Sequence, residues 1–293
     1  MTPLQIGLWA TFGCAVLWAM LDVLRKQLVA RMDPVGLTVW LAIGQAPFLG
    51  IWVALADDRT ITAEYWPWAA ATIVINIIAA VLYLVAIGSG QFSVAIPMLA
   101  FVPVWTALLG IPLLHQVPTA TQFVGIALVV AGTVVLHGQG RSGLRLFTAM
   151  LGERVSLAML GVALCWSLTI VLDRRATAHA PLSIHALGLS LGIAAGAGAW
   201  LAARGRIREI GQARRAPWRL LAAVSIAALA MALQLRAMQD VAVAALEAVK
   251  RTLGMGAAIA LGRVAFGEAI TARKLLAVAL MAAGTLLVLE RLW

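Results

Sequence analysis

The sequence predicts an all-α membrane protein of ten transmembrane helices, built as two inverted five-helix repeats. Three observations predict it. Hydrophobic residues make up 63% of the 293 and charged residues 12%, whereas soluble domains run at roughly 45–50% apolar and about 25% charged. The apolar residues gather in long runs, most of them close to the ~20 residues a helix needs to cross ~30 Å of hydrocarbon. Similar short patterns recur in the same order in both halves, at an offset close to 150 residues. So much apolar surface excludes a soluble enzyme, a disordered chain and a coiled coil. Unbroken runs, in place of period-two alternation, exclude an outer-membrane barrel.

The runs are 4–24, 34–55, 66–87, 92–114, 119–137, 155–173, 181–202, 217–239, 241–262 and 271–289. Asp33-Pro34 opens the second and Ala56-Asp57-Asp58-Arg59 closes it. Pro118-Thr119 opens the fifth and Thr271 the tenth. In hydrocarbon each segment must satisfy its own backbone donors and acceptors, so the runs are helices. Several gaps are only a few residues long, which makes consecutive helices antiparallel hairpins. The first run has no Lys or Arg before it and no small-residue cleavage pattern after it, so it reads as a retained span and not a signal peptide. Cys14 and Cys165 both lie inside apolar runs and read as small buried hydrophobes, not as a disulfide or metal framework.

The repeat is visible residue by residue. Gly13-Cys14-Ala15-Val16-Leu17-Trp18 resembles Gly161-Val162-Ala163-Leu164-Cys165-Trp166. Gln116-Val117-Pro118-Thr119 precedes Gly125 and Ala131-Gly132-Thr133, as Phe266-Gly267-Glu268-Ala269-Ile270-Thr271 precedes Ala277 and Ala283-Gly284-Thr285. The chain divides into a first repeat at 1–137, a basic connection at 138–154 and a second repeat at 155–293. Five is odd, so the second copy is inverted relative to the first. Secondary transporters use that arrangement around a site near the bilayer midplane.

On these residues the sequence resembles the drug/metabolite transporter superfamily, and in particular its EamA-like branch. The marks are a Trp-bearing first helix in each half, Gln116-x-Pro118-Thr119 with Gly125 and Gly132, and Phe266-x-Glu268 with Gly284. The resemblance spans essentially the whole chain. It implies ten helices in two repeats and a transport role; members move amino acids, nucleotide sugars, sugar phosphates and drugs.

A net charge of +10 in a soluble protein would suggest nucleic acid. Here the cations mostly lie in short loops, so no nucleic-acid partner is expected. Odd-numbered loops hold 15 Lys and Arg, against 5 in the even loops and the C-terminus. Cytoplasmic loops are the ones enriched in Lys and Arg, which puts the odd loops inside and both termini outside the plasma (inner) membrane. The resembled superfamily more often has both termini inside, and this chain's charges depart from it.

Charges kept within spans point to function, because each costs at least ~2.5–3.5 kcal/mol at the midplane. The ninth run holds Glu247, Lys250 and Arg251, spaced i, i+3 and i+4 on one broad face. Two cations against one acid leave a surplus suited to a carboxylate or phosphate. Arg offers a planar fork and Lys a point charge. Sugar-phosphate translocators of the same superfamily carry a Lys-Arg pair at the matching place, where it grips the substrate phosphate. The resemblance implies that role for Lys250 and Arg251. The corresponding residues of the first repeat are Met98 and Leu99, so the site is asymmetric.

Asp22 ends the first run and pairs with Arg25 or Lys26, as an interfacial pair or as a gate. Glu247 competes with it as a proton-coupling carboxylate. Asp173 with Arg174 and Arg175 reads as an interfacial cluster, and His185 as a packing residue. Asn76, Tyr83 and Gln234 lie in the third and eighth helices, which the family uses to line its cavity. They are candidate substrate contacts, as are Trp18 and Trp166. Gln45 and Gln91 read as interhelical hydrogen-bonding groups. Trp66, Trp68 and Trp218 fit an interfacial belt. Gly192, Gly196 and Gly198 form a small-residue strip, and Pro97, Pro103 and Pro112 interrupt the fourth helix.

No nucleophile elbow, metal spacing or phosphate loop occurs, and nothing calls for a cofactor. The expected function is secondary-active transport of a small organic anion, phosphorylated ones included, by a monomer that alternates access around a central cavity. An amino-acid or drug exporter of the same fold is the alternative. A flippase for lipid-linked substrates, or an embedded lipid-phosphate enzyme, is the third reading.

Overall fold

The computed structural model describes residues 2–88, 96–137, 154–266, 269 and 271–289. Gln91, Gly267 and Glu268 lie outside them, as does most of the basic connection. Among the described residues every regular element is helical. The α-helices are α1 (Pro3–Val29), α2 (Pro34–Ile43), α3 (Ala46–Leu55), α4 (Tyr65–Gly88), α5 (Val102–Leu114), α6 (Ala120–His137), α7 (Arg154–Ala176), α8 (Leu182–Ala203), α9 (Pro217–Asp240), α10 (Val243–Phe266) and α11 (Ala272–Leu289). Tight 3₁₀ turns at Ile96–Phe101 and Ile207–Arg215 lead into α5 and α9.

Local chemistry sets these boundaries. Thr2 and Gln5 form a reciprocal capping box at the start of α1. Asp33 caps α2, its Oδ1 accepting from Val35 N at 2.9 Å and Gly36 N at 3.0 Å, with Pro34 in the first turn. Thr119 and Gln122 repeat the capping box before α6, as the Pro118-Thr119 signal predicts. His115 adopts φ 56° and closes α5 in the left-handed conformation.

Two boundaries correct the sequence reading. The run at 34–55 is two helices, α2 and α3, broken at Gly44-Gln45. Pro47 lacks an N–H and cannot continue the hydrogen-bond ladder of α2. The first helix continues to Val29, five residues beyond the predicted end, so Arg25 and Lys26 belong to the helix and not to the loop.

Seven helical stretches are long and apolar enough to cross a membrane; Pro34–Leu55 counts as one of them. Shorter apolar helices occur at Met98–Leu114 and Ala120–Val135. The remaining span, α10, carries Glu247, Lys250 and Arg251 in its first half. Large apolar side chains face outward, with Ile51 60% and Leu286 70% exposed. An apolar exterior is what lipid requires, since it offers no water to polar groups. Trp66 and Trp218, 62% and 80% exposed, begin α4 and α9 and suit an interfacial belt.

Packing follows a pseudo-twofold relation between the halves. α1 lies on α9 as α7 lies on α4; α10 lies on α1 as α5 lies on α7; α2 and α3 face α8, and α6 faces α11. The α6–α11 crossing shows the relation at atomic scale. A Cβ on Gly125 would stand 2.5 Å from the Gly284 carbonyl, and one on Gly132 would stand 2.7 Å from that of Ala277. Shifting Gly125 and Gly132 by the repeat offset gives Ala277 and Gly284, so each contact is the other's image. The fold is therefore the inverted five-helix repeat. On α8, a Cβ at Gly192 or Gly196 would strike Ile73 or Ile77 of α4, each at 2.5 Å. Nothing approaches Gly198, so the predicted strip is two glycines and not three.

Candidate functional site

Side chains from both repeats meet where α1, α4, α7, α9 and α10 converge. Trp18, Asp22 and Arg25 stand i, i+4 and i+7 along one stripe of α1. Glu247, Lys250 and Arg251 occupy one face of α10, the lysine about 10 Å from the helix start at 1.5 Å per residue.

Lys250 Nζ donates to Glu247 Oε1 at 2.6 Å and to Gln234 Oε1 of α9 at 2.8 Å. Arg251 Nη2 lies 3.6 Å from Glu247 Oε2, an ion pair too long for a hydrogen bond. The lysine ammonium also lies 5.8 Å from the centre of the Trp18 ring. Arg25 stands 5.1 Å from the same Trp18 ring and 5.7 Å from that of Tyr83, with Asp22 3.1 Å from its Nη1. Tyr83 in turn packs on Trp166 at 4.9 Å. A continuous path of charge and aromatic faces therefore runs from Glu247 to Trp166. Cation–π contacts of this kind are worth ~0.5–2 kcal/mol each, more where water is excluded.

The electrostatics are unbalanced. Glu247 is 3% exposed and faces two cations, whose side chains keep 13% and 20% of their surface. Asp22 and Arg25 cancel each other, so one positive charge is left over among the described residues. Three polar atoms here are buried without a hydrogen-bond partner among the described residues: Trp18 Nε1, Arg251 Nε and Glu247 Oε2. Buried orphans cost about 1–3 kcal/mol each. Two of the three are donors beside a surplus cation, a pattern that suits an anion.

Of the predicted residues, the structure brings together Lys250, Arg251, Glu247, Gln234 and Trp18, then Tyr83, Trp166 and Asp22. Asn76 joins a different group: its Nδ2 donates to the Thr72 carbonyl at 3.1 Å and to the Thr72 hydroxyl at 3.2 Å. The interfacial reading of Asp173 is corrected. It is 4% exposed, accepts the Thr72 hydroxyl at 2.6 Å and contacts His185 at 3.2 Å. Successive residues turn by about 100° on a helix, so Arg174 reaches Gln239 of α9 and Arg175 reaches the Leu113 carbonyl of α5 instead. Arg25 pairs with Asp22 as expected, and what sequence reasoning missed is its stacking on Trp18 and Tyr83; the signal was the Trp18–Asp22–Arg25 spacing. A cavity of about 230 Å³ lies elsewhere, between α5, α6 and the start of α10. Gly110, Gln116, Ile126 and Val243 line it, and Lys250 does not.

The sequence pattern of the EamA-like transporter family matches residues 5–137 and, a second time, residues 154–290. The chain belongs to the EamA-like transporter family. The first matched stretch holds α1–α6, with α2 and α3 together forming one stretch, the second holds α7–α11, and the crossing at Gly125 and Gly284 joins them. No curated protein matches its sequence. A solved crystal structure, titled only as that of a protein, has its fold: TM-score 0.71 at 20% identity, over 96% of this chain and 95% of the other. Family and fold together make this a multi-pass membrane protein of a transporter family.

Proposed function

We propose that this EamA-like protein is a secondary transporter of a small organic anion, phosphorylated ones included. The observation that carries the reading is the surplus charge at Lys250 and Arg251, buried beside orphaned donors on Trp18 and Arg251. Lys250 and Arg251 attract the anion. Glu247 holds the two cations in place until it arrives, and Gln234 orients the lysine. Trp18, Tyr83 and Trp166 wall the site, Asp22 and Arg25 gate it, and Asn76 contributes from the adjoining polar group. The halves, 1–137 and 155–293, rock about the site to alternate access. The protein works as a monomer in the plasma membrane with its odd loops in the cytoplasm, and needs no cofactor or catalytic chemistry.

The amino-acid reading keeps one specific support. Asp22 is 40% exposed beside the aromatic path, a carboxylate placed to meet an ammonium while Lys250 and Arg251 meet a carboxylate.

Thermal unfolding of the purified protein separates the two, because a ligand that binds only the folded state raises the midpoint. Glucose 6-phosphate and inorganic phosphate test the first reading and glutamate the second. In either case Lys250→Gln and Arg251→Gln should each weaken binding by about tenfold or more, as loss of a charged hydrogen bond of ~1.5–3 kcal/mol implies. Unchanged stabilisation in both variants ends the anion-site reading. A reporter fused to the C-terminus tests the orientation.

A further inference from the structure

A second buried polar group, between α4, α7 and α8, is centred on a carboxylate and a histidine. His185 is fully buried and Tyr65 is 3% exposed. His185 Nε2 lies 3.2 Å from Asp173 Oδ1, and its Nδ1 lies 3.3 Å from the Tyr65 hydroxyl. Gly188, one turn along α8 from His185, leaves room for that hydroxyl: a Cβ there would stand 3.2 Å from it.

We propose that the Asp173–His185 pair is a proton-binding site whose loading state is linked to the packing of α4 against α7. The partners dictate the two states. An ionised carboxylate only accepts, so the imidazole N–H is on Nε2, and the bare Nδ1 accepts from Tyr65. A proton from water then bonds to Nδ1, and the Tyr65 O–H turns to accept from the new N–H. The buried net charge goes from −1 to zero, and release of that proton to water restores it. No other bond forms or breaks. A permanent partner would leave nothing to switch, yet the two arginines that follow Asp173 both turn away from it.

Other charged groups around the pair are accounted for. On α9, Arg236 and Asp240 pair with each other. The described parts of α2, α3, α5 and α8 carry no titratable group except His185 itself. In the loops that border α4 and α7 stand the half-buried His179 and the exposed Glu64, with Thr62 Oγ1 3.3 Å from His179 Nδ1. The Thr62 side chain hydrogen-bonds Glu64 and holds its carboxyl below the usual range.

The linkage follows from the helices that carry both groups. Asp173 lies seven residues after Trp166 on α7, and Thr72 lies eleven before Tyr83 on α4. A shift of α4 against α7 therefore moves the Tyr83–Trp166 contact and the Thr72–Asp173 bond together. This coupling role rests on the transport reading; the proton site does not.

The test uses the full chain in lipid nanodiscs with ¹⁵N-labelled histidine. There are only four histidines, and His185→Gln identifies the signal of interest. That signal should move between neutral and protonated shifts as the pH is varied. It should stop responding in Asp173→Asn, and its response should shift in the milder Thr72→Val. Spin labels on cysteines placed at the outward positions 78 and 164 should report a pH-dependent separation that His185→Gln abolishes. A wild-type signal that does not respond, or one that responds identically in Asp173→Asn, overturns the proton site. A label separation independent of pH overturns the linkage. Neither readout includes an anion, so failure of the Lys250 and Arg251 tests leaves both results standing.

Discussion

Glu247 and Asp173 are both buried, 3% and 4% exposed, and they are neutralised by opposite means. Glu247 stands between two cationic side chains, a lysine and an arginine. Asp173 stands between a threonine hydroxyl and an imidazole, with neither arginine that follows it turned toward it. The first arrangement has fixed charge in excess and suits a partner of opposite sign. The second has no fixed counter-charge and suits a proton. Their placement follows the repeat: Trp18 and Trp166 are equivalent, and seven residues after each comes Arg25 or Asp173. One half has placed a permanent cation where the other has placed a titratable acid.

The contrast can be broken most directly at Glu247. Glu247→Gln leaves the half-buried Lys250 and Arg251 with no acid between them, and breaking a buried pair costs up to about 3–5 kcal/mol. Thermal unfolding of the purified variant should show a large fall in midpoint, which an unchanged midpoint would contradict. Asp173→Asn should cost less, about 1–3 kcal/mol, because the histidine beside it can stay neutral. Equal losses in the two variants would erase the distinction. Thr72→Val removes one hydroxyl donor and should cost ~1 kcal/mol, measured the same way. The smallest effect is expected at Arg25→Lys, which keeps the charge but loses the planar stacking on Trp18 and Tyr83. A change of ~0.5 kcal/mol is expected there, best read from tryptophan fluorescence.

Much of the architecture could be read from the chain because the bilayer imposes length and composition on each span. Asp33, Thr119 and Thr271 marked helix starts since capping chemistry is local. Lys250, Arg251 and Glu247 stood out because charge inside an apolar run is costly and close in sequence. The His185–Asp173 pair was hidden by the opposite circumstance. Its members are 12 residues apart on two helices, and Thr72 is 101 residues from Asp173. Adjacency in sequence had joined Asp173 to Arg174 and Arg175, whereas the helical turn sends the three to different neighbours. Asn76 and Tyr83 share α4, yet the seven residues between them set them about 10 Å apart along its axis, at different depths.

The crossing of α6 and α11 has a mechanical consequence. Backbone meets backbone there at Gly125 and Gly284, with Met281, Val288 and Leu128 packed close beside the glycines. In the alternating-access reading proposed above, that line is the fulcrum: whatever tilts one half of the molecule about it must widen one mouth and narrow the other by the same stroke. A single methyl group wedged at Gly125 would jam the seesaw without touching any charge.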